Sequence, residues 1–71
     1  VDKKYFKHFL NLIDAKPKEV VLIDNKEYPI LIAKKVGIIT IRIDREHKIK
    51  KTKANYLIHS LRELFPLISQ L

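Results

Sequence analysis

The sequence predicts an α/β fold with a small, mainly parallel sheet and helices packed against it. Two short apolar runs rich in β-branched residues, at positions 20–23 and 38–43, indicate strands buried on both faces. A helical stretch over residues 30–36 lies between them, with Pro29 near its start, and Gly37 follows in the position that favours the left-handed conformation. Strand, helix and strand make a βαβ unit, whose right-handed crossover makes the two strands parallel neighbours.

A first helix is predicted before this unit. Asp2 is a good N-cap, and apolar side chains recur at helical spacing as far as about Asp14, with polar side chains on the opposite face. Pro17 ends this helix, because proline cannot continue it. The predicted apolar face consists of Tyr5, Phe6, Phe9, Leu10 and Ile13.

The C-terminal third of the chain begins with a charged loop without periodicity, residues 44–53. Residues 56–58 (Tyr-Leu-Ile) predict a short third strand. Ser60 and Glu63 have the spacing of a capping box, which starts a final helix that runs towards Leu71. We expect a break in that helix at Pro66.

The composition limits the class of protein. The chain has 71 residues, a formal net charge of +7, 46% hydrophobic residues and no cysteine. These values indicate one domain at most and exclude a disordered chain, a disulfide framework and a thiolate metal site. No apolar run approaches the roughly 18 residues of a membrane span, and no signal peptide is visible, so we expect a cytoplasmic protein that does not bind membranes. The high lysine content favours a thermophilic source.

Over half of the net charge lies in one segment. Six cations and two carboxylates between positions 42 and 53 give it a charge of +4. The segment is either a solvated loop or a surface that attracts phosphate or nucleic acid. The absence of interleaved aromatic residues and of a known nucleic-acid motif argues against nucleic acid. The cations of this basic segment are Arg42, Arg45, Lys48, Lys50, Lys51 and Lys53.

Asp24 and Asn25 follow the first predicted strand, where open α/β sheets bind ligands. They are either contacts for a metal or phosphate, or N-caps of the next helix. Glu27 forms either a carboxylate pair with Asp24 or part of a solvated turn. The three histidines, at positions 8, 47 and 59, lack ligand spacing and are interpreted as scattered surface residues.

Four stretches, in this order, are similar to one known family. They are residues 16–25 (KPKEVVLIDN), 33–37 (AKKVG), 37–40 (GIIT) and 54–64 (ANYLIHSLREL). Together they resemble the C-terminal part of the Rossmann-like core of haloacid-dehalogenase-like hydrolases. The resemblance implies that residues 1–71 are a partial domain, the C-terminal half of such a core. It also implies a phosphatase that, when complete, uses an aspartyl-phosphate intermediate, Mg²⁺ and a phosphorylated small molecule.

The resemblance also suggests site residues. On ungapped spacing, Asp24 falls on the glycine of the family's metal motif, Asn25 on its first acid and Pro29 on its second. Asp24 and Asn25 are therefore the implied metal residues, with Asp24 supplying the charge after a small shift. The family's phosphate-contacting lysine would fall just before residue 1. Lys3 or Lys4 could replace it after a one-turn adjustment, or both are solvated first-turn residues.

The chain contains no Asp-x-Asp nucleophile motif. We therefore expect no hydrolysis of phosphate esters by the chain alone. It begins at Val1 and has no methionine, which indicates a processed or trimmed piece. The alternative function is a non-catalytic basic α/β module that binds phosphate or nucleic acid.

In the family, the strand at residues 20–23 pairs with the strand that bears the nucleophile. No lysine or proline within these four residues protects an open edge from aggregation. We therefore expect this edge to be covered, either by an upstream part of the same protein or by a second copy of the chain.

Overall fold

A computed structural model describes residues 2–71. It has the predicted α/β architecture, with helices on both sides of a three-stranded sheet. The helices are α1 (Lys3–Ile13), α2 (Glu27–Val36) and α3 (Leu64–Ile68), and the strands are β1 (Val21–Asp24), β2 (Ile39–Ile43) and β3 (Tyr56–Ile58). Short 3₁₀ turns cover Pro17–Glu19 and Leu61–Glu63.

All three strands are parallel, in the order β1-β2-β3. The predicted βαβ unit and the third strand are therefore confirmed. β2 is the central strand, and β1 and β3 are the edge strands among the described residues. The register pairs Val21 with Ile39, Asp24 with Arg42, Ile41 with Tyr56, and Ile43 with Ile58.

The core consists of two apolar clusters, one on each face of the sheet. On one face, α1 and α2 pack together through Phe6, Leu10 and Ala33, with Ile38, which directly precedes β2. On the other face, β2 and β3 contribute Ile41, Ile43 and Ile58, and the partly buried Leu64 and Leu67 of the α3 region pack against them. Side chains alternate along β2, so this strand contributes to both faces.

α1 begins and ends as predicted. The Asp2 carboxylate accepts the N–H of Tyr5 at 3.1 Å, and the helix ends at Asp14, which adopts a left-handed conformation. The predicted apolar face is only partly buried, however. Phe6 and Leu10 are in the core, whereas Tyr5, Phe9 and Ile13 are exposed. The surface of α1 that packs against α2 is therefore narrower than the apolar face predicted from the sequence.

The start of α2 and the proline of α3 need correction. Pro29 lies near the start of α2, as predicted, at its third position, but the helix begins at Glu27, three residues before residue 30. α3 runs from Leu64 to Ile68 without a break at Pro66. Both prolines lie in the first turn of a helix, where the backbone N–H has no intrahelical acceptor and its loss costs little.

Gly37 ends α2 with φ +102°, as expected for a left-handed helix terminus. A Cβ at this position would lie 3.3 Å from the Cβ of Pro17. Both the conformation and the close approach therefore favour glycine.

No helix in residues 2–71 is long and apolar enough to cross a membrane.

Candidate functional site

The carboxyl ends of the three parallel strands lie along one edge of the sheet. Asp24 and Asn25 are located at the end of β1, Asp44 directly follows β2, and His59 directly follows β3. Ligands of open α/β sheets bind at this edge, because loops from neighbouring strands meet there. These residues therefore form the candidate site.

Asp24 and Asn25 face different cavities, although they are adjacent in sequence. Asp24 borders an apolar groove of about 290 Å³ between α1 and β1. Asn25 borders a polar pocket of about 400 Å³ beside the loop that follows β2. One Asp24 oxygen accepts the N–H of Lys26 at 2.8 Å. Neither residue is the N-cap of α2, because that position is occupied by Lys26, so the capping interpretation is wrong.

The donor set at the end of β1 is incomplete for a magnesium ion. Mg²⁺ prefers six oxygen ligands, of which one or two are carboxylates and the others are water or phosphate oxygens. Asp24 offers one carboxylate, and Asn25 offers only a neutral oxygen. Residues 2–71 contain no cluster of three or more His, Cys, Asp or Glu side chains that could hold a metal. Asp24 and Asn25 would therefore form only part of a magnesium site.

Lys3 and Lys4 are exposed in the first turn of α1. Neither lysine is among the described residues that line the groove or the pocket. A phosphate contact through Lys3 or Lys4 therefore stays a prediction.

Arg42 does not belong to the exposed basic segment. It is 8% exposed and forms an ion pair with Glu27 of α2 through its Nη1. The reason is its place in the central strand, where it alternates with Ile41 and Ile43 and lies on the face covered by α2. The other five cations of the segment are exposed: Arg45, Lys48, Lys50, Lys51 and Lys53.

Glu27 is neither a solvated turn residue nor the partner of Asp24. Besides the Arg42 guanidinium, its carboxylate accepts the hydroxyl of Thr52 and the N–H of Lys53, both at 2.7 Å. Partial burial opposes ionisation of Glu27, but the bonds from Lys53, Thr52 and Arg42 outweigh it and lower the pKa of the carboxyl group. Glu27 thus anchors the end of the charged loop to α2.

Asp44 anchors the beginning of the same loop. Its carboxylate oxygens accept the N–H of Lys48 at 3.1 Å and the N–H of Ile49 at 2.7 Å. These hydrogen bonds, that of Ile49 foremost, hold the pKa of Asp44 below its ordinary value. The Asp44 N–H also donates to the carbonyl of Ile58 in β3 at 2.8 Å. Residues 44–53 form a loop, as predicted, but it is fixed at both ends by buried or partly buried carboxylates.

His47 and His59 are brought together at the end of β3. Their rings stack with centroids 4.0 Å apart and planes inclined by 18°, and Nδ1 of His59 lies 3.0 Å from the carbonyl oxygen of Asp44. The interpretation of all three histidines as scattered is therefore wrong for this pair and holds only for His8, which is exposed on α1. The left-handed backbone at His47, with φ +56°, helps to place its ring, and no sequence spacing signals it.

No family model matches the chain, and no curated protein or solved structure matches it either. The structure by itself defines the chain as a small α/β protein with a parallel three-stranded sheet.

Proposed function

We propose that the chain is the C-terminal part of a haloacid-dehalogenase-like phosphatase core. In this proposal it supplies the metal-side turn of the active site, and another part of the protein supplies the Asp nucleophile. The observation that carries the proposal is the position of β1. This strand is at the edge of a parallel sheet, and Asp24 and Asn25 lie at its carboxyl end, in the place implied by the four matching sequence stretches.

The edge of β1 has the properties of a surface that another strand covers. Its outer side pairs with no strand among residues 2–71, so backbone N–H and C=O groups are available there. Ile23 in this strand is 36% exposed. The adjacent groove is lined mainly by apolar side chains, including the exposed Tyr5 and Phe9 of α1. A parallel strand added at this edge would end beside Asp24.

We propose that the added strand comes from an upstream part of the same protein and bears the nucleophile. A second copy of the chain at this edge is the alternative. In the complete site, Asp24 would contribute one carboxylate to a magnesium ion, which would offset the charge of the phosphoryl group. A cytoplasmic location and a thermophilic source also stay predictions.

The test is the natural product of the coding region that contains this chain. We expect an intact mass above 8.4 kDa, an Asp-x-Asp motif upstream of residue 1, and Mg²⁺-dependent hydrolysis of p-nitrophenyl phosphate. Asp24→Asn should lower that activity, whereas the matched variant Asp14→Asn should not, because Asp14 lies at the C-terminus of α1 and asparagine tolerates its left-handed backbone. A natural protein that begins at residue 1 and hydrolyses nothing would overturn the proposal.

A non-catalytic module that binds phosphate groups is the second candidate function. The observation that favours it is the charged loop, which Asp44 and Glu27 hold in place while five cations stay exposed. A fixed loop can present cations at lower entropic cost than a mobile one. Retention on a polyanion resin at low salt, with a steep decrease as salt rises, supports this function, and no retention at low salt excludes it.

A further inference from the structure

A pocket of about 400 Å³ lies between the turn after β1 and the loop after β2. Its volume is within the range of roughly 300–1,000 Å³ that is typical of small-molecule sites. Asn25 borders it on the side of β1, and Arg42, Arg45 and Lys48 border it from β2 and the following loop. Three cations thus converge on one concave surface at the ligand-binding edge of the sheet.

Two acids, Asp44 and Glu46, also border the pocket and offset part of this positive charge. The oxygens of Asp44 already accept the backbone N–H groups of Lys48 and Ile49. Glu46 forms an ion pair with Lys48 at 3.2 Å, but the two side chains are 74% and 73% exposed. An ion pair with this exposure contributes little, so Lys48 can exchange Glu46 for a ligand. Arg45 forms no ion pair with any of the described residues.

Arg42 adds an unusual feature to the pocket. Its side chain is 10% exposed, its Nη1 donates to Glu27, and its Nε is buried without a hydrogen-bond acceptor in residues 2–71. A buried donor without an acceptor is unfavourable. The guanidinium group presents five N–H donors, of which Glu27 occupies only a part. Arg42 therefore keeps the capacity to interact with an anion in the pocket.

We propose that this pocket binds a small molecule through a phosphate group, with Arg45 and Lys48 as its direct contacts and Arg42 as the buried cation behind them. The proposal rests on the second candidate function, because both require phosphate binding at the charged loop, and it names the pocket and the ligand class. Guanidinium groups match the oxygens of phosphate in pairs, and an ammonium group adds a point charge. The proposed role of these cations is binding alone, with no bond to the ligand formed or broken.

The test is a titration of the ¹⁵N-labelled chain with inorganic phosphate and with phenyl phosphate at constant ionic strength, followed by amide chemical shifts. We expect saturable shifts at Asn25 and over residues 45–49, with tighter binding of phenyl phosphate. The double variant Arg45→Gln/Lys48→Gln should weaken binding by about tenfold or more, since it removes two charge-assisted contacts that together contribute at least that factor. The matched control is Lys50→Gln/Lys51→Gln, which removes the same charge from the same loop outside the pocket and should change the affinity by less than about twofold.

The outcomes separate this proposal from the function on which it rests. Equal weakening by both double variants would show that the whole loop attracts phosphate diffusely. That result would leave the second candidate function standing but would overturn the assignment of the pocket as the binding site. No shift with either probe, together with no retention on the polyanion resin, would overturn both. Binding of inorganic phosphate without binding of phenyl phosphate would overturn the small-molecule assignment. The amide spectra of the free variants also report whether each one is folded.

Discussion

Glu27, in the first turn of α2, forms an ion pair with Arg42 of the central strand β2, fifteen positions further along the chain. The same carboxylate accepts hydrogen bonds from Thr52 and Lys53. One acidic side chain therefore connects a helix, the middle of the sheet and the end of the charged loop. Its loss should affect all three.

We expect Glu27→Gln to destabilise the fold by about 2 kcal/mol, because it leaves the buried Arg42 cation without a counter-charge. Urea denaturation at pH 7 measures the change in the free energy of unfolding. Glu46→Gln is the matched control, since it removes a carboxylate from an ion pair that is almost fully solvated, and it should leave the stability nearly unchanged. Equal effects of the two variants would show that the Glu27–Arg42 pair is not a structural contact.

Stability should decrease in acid. The pKa values of Glu27 and Asp44 are lowered in the folded chain from ordinary values of 4.5 and 3.8. The unfolded chain therefore binds more protons in this range, and the contribution of these groups is complete above pH 4.5 to 5 and is lost as the pH falls through the lowered values. The urea midpoint at pH 6 and at pH 3 measures the loss. The urea midpoint of Glu27→Gln should decrease less between pH 6 and pH 3 than that of the original chain. An equal decrease would contradict the contribution of Glu27 to the pH dependence.

The open edge of β1 should make the isolated chain associate. Ile23→Lys places a charge in this edge strand and should shift the chain towards the monomer. Sedimentation velocity over a range of protein concentrations measures the distribution. Phe65→Lys is the control, because Phe65 is 81% exposed but belongs to α3 and not to the edge strand β1. The prediction fails if the original chain is a monomer at all concentrations, or if the control has the same effect.

Gly37→Ala should destabilise the fold by about 1–2 kcal/mol, because a left-handed backbone disfavours a Cβ and Pro17 lies close to it. Gly37→Asn should destabilise the fold less than a side chain of its size would suggest, because asparagine tolerates the left-handed conformation better than alanine does. Thermal unfolding followed by circular dichroism ranks the three proteins. An alanine variant as stable as the original chain would show that the strain at this position is negligible.

The local signals of the sequence were reliable for the ends of elements. The Asp2 cap and the Gly37 terminus depend on neighbours within a few residues, and both are confirmed. The same holds for Glu63, which accepts the N–H of Ser60 at 2.8 Å. Pro66 was misjudged because the rule against proline applies to helix interiors, and the helix that contains it begins only two residues earlier.

The candidate site was less predictable than the fold. Asp24 and Asn25 were placed correctly at the carboxyl end of β1, because a strand followed by polar residues is a local pattern. The pocket beside Asn25 was missed, since its cations belong to β2 and its loop and appear in sequence as one undivided basic segment. Only packing separates the buried Arg42 from the exposed Arg45 and Lys48.

The sequence by itself determined the α/β class, the parallel βαβ unit and the positions of most helix and strand ends, because these depend on hydrophobic periodicity and short-range hydrogen bonds. Only the tertiary structure decided which carboxylates hold the charged loop, that His47 stacks on His59, and how little of the apolar face of α1 is buried. The contact of Glu27 with Lys53 and the stacking of His47 on His59 join residues twelve or more positions apart, and the burial of α1 depends on the area that one helix presents to another. Their partners are selected by the packing of the whole chain and have no local pattern.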